Sequence, residues 1–359
     1  MRLSKREKTN KRKETELYDH YIAIDWSEKK VAIARMRNRS VSPKVIEEKS
    51  DIKVLKRYLM NLTGRKILTI EETTTTHWLY VELKEYVDRI LICDPYRNKL
   101  LSEGSKTDKI DAEKLCKLLR GRLLKEVYHS SDESDESYKI RKLSSYYEDL
   151  VKAGVRVQNQ KSALYRGLGL KYKKEEISNE DKLMKYIEES QNRSIVLYRE
   201  EKKRYETLFK KMQNENTTIR NLSKISGIGT ISAVSIYSIV IDAKRFENKY
   251  KYWSYCGLVY NEKESGGRIY GKKRPRHSRK LRGIYKTAAL AVIGGKNDIG
   301  QYYEYLLGEG IGEKKASNAI ARYIAKVSYA VMKNGKKYRP YQWRESIGDE
   351  IQMEEKTKE

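Results

Sequence analysis

The chain of 359 residues is poor in several residue types, and each shortage removes a class of protein. It has 3 cysteines, Cys93, Cys116 and Cys256, far apart and with no CxxC pairing. That is the pattern of small buried apolar residues in a reducing compartment, not of a disulfide framework. It has 4 histidines, His20, His77, His129 and His277, with no HxxxH or Cys/His cluster, so a zinc site is not expected. Phe is nearly absent (2) while Tyr is abundant (29), so many core rings carry a polar handle and some could stack on bases. No apolar run approaches a membrane span, and the charged N-terminus lacks a signal-peptide core. A soluble cytoplasmic protein without a membrane partner is expected.

Acids are outnumbered. Against 77 Lys+Arg stand 50 Asp+Glu, a net charge of +27. This excess predicts a polyanion partner, nucleic acid foremost, a nucleoid-associated location and steeply salt-dependent binding.

Residues 1–18 are basic and unpatterned and read as a disordered arm. In 19–130, strands are expected at Tyr21–Asp25, Val31–Met36, near Val45–Glu48, at Lys66–Ile70 and at Arg89–Asp94. Helices are expected over Asp51–Leu62, through Trp78–Tyr86 and from Asp108. The order β-β-β-α-β-α-β-α is that of an RNase H-like (RuvC-like) domain, a mixed sheet flanked by helices. Residues 131–220 carry apolar positions at helical spacing and read as a coiled-coil helical arm broken near Gly167–Gly169. Residues 221–345 read as a mostly α domain, opened by a helix-hairpin-helix around Gly227 and Gly229 and closed by helices at Leu281–Gly294 and Ala316–Met332. The acidic tail, 346–359, is expected to fray. The fold class is therefore α/β plus α.

The candidate chemistry starts at Lys106-Thr107-Asp108-Lys109-Ile110-Asp111-Ala112. Asp108 and Asp111 lie one turn apart on a helix mouth, so both can reach one site. Asp25 ends the first strand, and Glu71 and Glu72 end the fourth. Repelling carboxylates gathered from separate elements need a cation, and hard oxygen donors suit Mg²⁺ or Mn²⁺. Gly227 and Gly229 could expose backbone N–H groups to a phosphate. Ser265 precedes Gly266-Gly267 on an expected flexible loop beside Lys272, Lys273, Arg274 and Arg276, which could hold a phosphate.

Ile24-Asp25, Glu71-Glu72-Thr73, Asp94-Pro95, the Lys106–Ala112 segment, Ile228-Gly229, Tyr255-Cys256-Gly257-Leu258 and Ser265-Gly266-Gly267 together resemble DEDD transposases of the IS-one-ten and Piv type. The likeness runs from about residue 20 to 340. It implies an insertion-sequence transposase with Asp25, Glu71, Asp108 and Asp111 as metal ligands and Ser265 as the nucleophile that joins covalently to DNA. It further implies double-stranded donor and target DNA, a bridge RNA, and a tetramer arranged as a dimer of dimers. The chain departs from the pattern in Thr74-Thr75-Thr76, where glycine usually follows, and in Glu264-Ser265, where relatives often pair serines. The alternative readings are a Piv-like DNA invertase, a metal-dependent Holliday-junction nuclease and a non-catalytic nucleic-acid-binding protein.

Overall fold

A computed structural model describes residues 17–95, 107–128, 135–341 and 343–344. Lys106, the acidic tail and all of the basic arm but its last two residues lie outside them. The chain divides into two compact units, Met1–Ser131 and Asp132–Glu359.

The first unit is built on a five-stranded mixed sheet in the order β3-β2-β1-β4-β5, with β1 His20–Trp26, β2 Lys30–Arg37, β3 Lys44–Lys49, β4 Lys66–Glu71 and β5 Arg89–Cys93. β1 pairs antiparallel with β2 and parallel with β4; β2–β3 is antiparallel and β4–β5 parallel. Residues 21–24 of β1 are buried on both faces, as befits a central strand. On one face, Ile22, Ile24, Leu68 and Ile70 meet Leu55 and Leu59 of α1 (Ile52–Met60) and Leu79 and Leu83 of α2 (Thr76–Leu83). On the other, Tyr21, Ala23 and Ile67 meet Ala112, Leu115, Cys116 and Leu119 of α3 (Asp108–Arg120). The period-2 alternation along β1 and β4 sorts the side chains between these two faces. Sheet order and strand directions are consistent with an RNase H-like domain. Tyr18, read with the arm, is buried edge-on against Tyr21 and under Arg65, so packed structure begins before residue 19.

The second unit opens with two long helices, α4 (Asp135–Gly167, 33 residues) and α5 (Lys182–Glu215, 34 residues). They run antiparallel in constant register: Tyr147 donates to Glu206 (3.0 Å), Lys161 to Asn192 (2.6 Å) and Tyr165 to Glu188 (2.5 Å). Gly154 lets them approach, since a Cβ there would fall 2.4 Å from the Tyr198 ring. Their proximal ends, through Ile140, Tyr147 and Phe209, enter the same core as the helices that follow. Those are α6 (Thr217–Leu222), α7 (Thr230–Val240), α8 (Lys249–Tyr255), α9 (Arg279–Ile293), α10 (Asp298–Gly308) and α11 (Glu313–Asn334). Tyr252 and Tyr285 join hydroxyls (2.6 Å) at the centre of that core, a buried use of the tyrosine polar handle.

Among the described residues of the second unit, the strands are those of a two-stranded hairpin, β6 (Asn261–Ser265) and β7 (Arg268–Lys273). The expected loop at Ser265 is thus corrected to the end of a strand. Gly266 and Gly267 both adopt positive φ (58° and 75°) between the paired Ser265 and Arg268, the backbone a two-residue hairpin turn demands. All three cysteines are buried and none is in a disulfide, and burial pushes the Cys116 thiol up to about 12. No helix among the described residues is long and apolar enough to cross a membrane.

Candidate active site

Strand register brings the first two acids together. Ile24 pairs with Ile70 in the parallel β1–β4 ladder, so Asp25 and Glu71, one step further on, are abreast on neighbouring strands. Both follow the parity of Tyr21, Ala23 and Ile67, which puts them on the face that α3 covers. Glu72, beyond the strand end, is exposed, and its amide donates to Cys93 O (3.0 Å). Geometry therefore favours Glu71 over Glu72 independently of any resemblance.

The second pair comes from the mouth of α3. Thr107 is the N-cap and its hydroxyl accepts from Ile110 N (3.3 Å), which fixes the first turn that carries Asp108 and Asp111. Lys109 on the same turn forms an ion pair with Glu47 of β3 (2.9 Å). In the Thr73–Thr76 stretch, where the family pattern has glycine, Thr76 Oγ1 donates to Glu71 O (3.1 Å) and accepts from Thr73 N (2.7 Å). A side-chain-closed turn thus leads from the Glu71 strand into α2.

The electrostatics show that the four acids share one locality. Burial first, then Asp108, Glu71 and Asp111, push Asp25 up from 3.8 to about 6. Yet among the described residues no three His, Cys, Asp or Glu side chains converge closely enough to ligate one ion. The strand register nevertheless keeps Asp25 and Glu71 abreast on one face. An all-carboxylate donor set with one member held half-protonated near pH 6 fits a hard divalent cation and fits neither zinc nor copper. Trp26, next to Asp25, makes an edge contact with the exposed Trp78 (5.3 Å between centroids), an aromatic pair beside the acids that composition alone did not single out.

In the second unit Ser265 is exposed at the hairpin turn, and its hydroxyl has no partner among the described residues. Lys272 and Lys273 lie toward the other end of β7, where they pair with Glu262 and Asn261; Lys272 also forms an ion pair with Glu262 (3.1 Å). Arg274 stacks over Tyr260 (4.3 Å) and hydrogen-bonds its hydroxyl, whereas Arg276 is exposed. The structure therefore sets the basic group at the foot of the hairpin and Ser265 at its tip. It also extends that group beyond Arg276 to Arg282 and Lys286 of α9 and Arg322 of α11, whose only sequence signal was the four-residue spacing of the first two. Gly227 (φ 83°) and Gly229 form the turn into α7, and Gly229 is its N-cap. A Cβ at Gly227 would lie 2.7 Å from Ala288 O, so this glycine is also required by packing against α9.

Comparison with known families covers most of the chain. Residues 22–168 match the DEDD transposase domain of the IS110 type, described as a transposase. Residues 219–304 match the Transposase IS116/IS110/IS902 family. No curated protein matches the chain. DEDD transposases typically use a divalent metal, and their substrate is DNA. With the acids on one face of the sheet and both matches in chain order, the chain belongs to the IS110 family of DEDD transposases.

Proposed function

We propose that this transposase cleaves and exchanges DNA strands through a covalent 5′-phosphoserine intermediate at Ser265, with Asp25, Glu71, Asp108 and Asp111 as the ligands of a divalent cation, Mg²⁺ or Mn²⁺. The observation that carries the metal assignment is the upward push on Asp25 by burial and the other three acids. When bound, the cation supplies positive charge that stabilises the scissile phosphate as negative charge builds on it. Asp25 and Glu71 are positioned by strand register and Asp108 and Asp111 by the capped first turn of α3.

Ser265 Oγ attacks the phosphorus, the P–O3′ bond breaks, and the serine proton is balanced by the 3′-OH that leaves. Phosphodiester energy is kept in the serine ester, so the reverse attack by another 3′-OH rejoins strands without ATP. Exposure of Ser265 at a glycine turn supports close approach of a backbone. The N-terminus of α7, with Gly227 and Gly229, and Lys272, Lys273, Arg274 and Arg276 bind phosphates on either nucleic acid. The charge of +27 supports binding of a structured RNA alongside DNA. The family resemblance supports bridge-RNA guidance and a tetramer in which the acids of one subunit complete the serine domain of another. We assign 19–130 to the RNase H-like domain, 131–220 to the helical arm and 221–345 to the serine domain.

A suicide DNA substrate incubated with Mg²⁺ and the RNA that co-purifies tests this, with wild type compared against Ser265→Ala. The expected result is protein-linked DNA from wild type alone. Free nicked DNA from both proteins would identify a hydrolytic nuclease, and tight binding without any metal-dependent product would identify a non-catalytic binder.

A further inference from the structure

Four cations of the second unit come together without a counter-charge. Arg282 and Lys286 stand one turn apart on α9. Lys286 Nζ donates to Asn318 Oδ1 on α11, and Arg322 follows Asn318 one turn later on that helix. Arg274 enters from the end of β7, its guanidinium laid on Tyr260. All four side chains are half-buried. The Nε atoms of Arg274 and Arg282 are buried without a hydrogen-bond partner. Among the described residues no carboxylate forms an ion pair with any of the four. Burial first, then Arg282, Arg274 and Arg322, hold Lys286 below the ordinary lysine value. Burial likewise lowers Arg322.

Such a cluster costs folding free energy through desolvation and mutual repulsion, and arginine cannot relieve it by losing a proton. An anion with several acceptor oxygens would relieve it, and a phosphate matches the forked donors of three guanidinium groups. The hairpin register places this group away from the turn: Ser265 pairs with Arg268, and Lys273 with Asn261 four strand steps back. At strand rise that is about 13 Å. The anion held here is therefore not the one Ser265 attacks.

We propose that Arg274, Arg282, Lys286 and Arg322 form a seat for a flanking phosphate of the DNA backbone at the foot of the Ser265 hairpin. The seat rests on the reading of this chain as a DNA recombinase and adds to it a grip on the duplex that is separate from the reacting phosphate. It holds the strand while the hairpin tip delivers the serine.

The test measures affinity of nucleic-acid-free protein for a fluorescein-labelled DNA duplex across a salt series, for wild type, Arg282→Gln/Lys286→Gln and Lys286→Arg. The double variant is expected to lose about tenfold in affinity and to flatten the log–log salt dependence by about 1, the contribution of one neutralised phosphate. Lys286→Arg should keep the wild-type slope. The double variant should melt no lower than wild type, because it removes repulsion. An unchanged slope would overturn the seat, as would a lowered melting temperature together with loss of binding in Lys286→Arg. A loss confined to duplex RNA would assign the cluster to a guide and overturn the DNA assignment. Failure of the serine mechanism would show instead as a missing covalent adduct with these binding results intact.

Discussion

Both units gather like charge at one place, with opposite signs and by different means. In the first, four short carboxylates are carried by strand register and a helix mouth; in the second, four long cations are carried on helix faces and at a strand end. A short side chain inherits its position from the backbone, so Asp25 and Glu71 are aligned before any ligand arrives. A long one keeps several rotamers and can follow a ligand. The two clusters also relieve their repulsion differently. Asp25, pushed up to about 6, can take a proton near neutral pH. Arginine cannot release one, which leaves Lys286 as the only member of its cluster that yields. The first cluster can therefore idle as a protonated site, while the second stays charged until an anion covers it.

The sharpest way to break this contrast is to remove one charge from the acidic side. Asp108→Asn keeps the shape of the first turn of α3 but takes away a ligand. DNA cleavage in saturating Mg²⁺ should fall by at least about 10²-fold, the scale of losing one charge-stabilising group. Duplex affinity should stay within about twofold, because the basic excess that carries it is untouched. Cleavage at the wild-type rate would remove Asp108 from the metal site.

A second break acts on stability in the other unit. Gly227→Ala places a Cβ 2.7 Å from Ala288 O at a φ of 83°. Backbone strain and overpacking together predict a loss of about 2–4 kcal/mol. Chemical denaturation should show that loss in a transition reported by the tryptophans of the second unit, Trp253 and Trp343. The transition reported by Trp26 and Trp78 should stay in place, since they belong to the first compact unit. A common shift of both would mean that the two units melt as one.

How far the two regions could be read in the sequence follows from the same difference. The neighbourhood of the acids was legible because Asp25 and the Glu71-Glu72 pair end strand runs and helix spacing sets Asp108 and Asp111 one turn apart, while the choice of Glu71 came from the resemblance. The basic cluster was not legible, because Arg274, Arg282 and Arg322 meet only through tertiary packing of α9 on α11. The β6–β7 hairpin looks like a loop in the sequence because Glu262, Lys263 and Glu264 are all exposed and polar, with no apolar alternation to mark a strand. The Gly266-Gly267 pair between two such runs was the available signal. Helix α10 is likewise unmarked in the sequence, lying between Leu281–Gly294 and Ala316–Met332, and it is anchored by the buried Asp298, which accepts from Ser226 (2.8 Å) and Tyr338. That anchorage joins residues too far apart in sequence for spacing to reveal.

A milder effect distinguishes the clusters by pH. Asp25 in the folded chain has its pKa raised from 3.8 to about 6, so the native state binds more protons than the unfolded one across that window. Its contribution to stability is therefore fullest below about 4 and is lost as pH rises through about 6. In EDTA, wild type compared with Asp25→Asn should lose ground in melting temperature between pH 4 and pH 7. Saturating Mg²⁺, which binds the ionised acids, should abolish or reverse that trend. No such metal-sensitive trend would show that Asp25 does not sit among the other acids.

The smallest expected effects come from two helix caps, and they set the units side by side. Thr107 caps α3, whose first turn holds Asp108 and Asp111; Ser278 caps α9, whose next residues lead to Arg282, and its hydroxyl accepts from Leu281 N (3.3 Å). Thr107→Ala and Ser278→Ala should each cost about 1 kcal/mol by denaturant titration, since each leaves an end amide without its acceptor. Their functional consequences should diverge. Fraying the α3 mouth moves two carboxylates away from Asp25, so Thr107→Ala should raise the Mg²⁺ concentration needed for half-maximal cleavage several-fold and leave the salt dependence of DNA binding alone. Fraying the α9 mouth shortens the ordered helix before Arg282, so Ser278→Ala should weaken DNA binding at moderate salt and leave the Mg²⁺ requirement alone. The same chemical change, equal in stability cost, would then read out as metal affinity in one unit and as phosphate affinity in the other. If both caps altered both readouts, the two charge clusters would be parts of one coupled site.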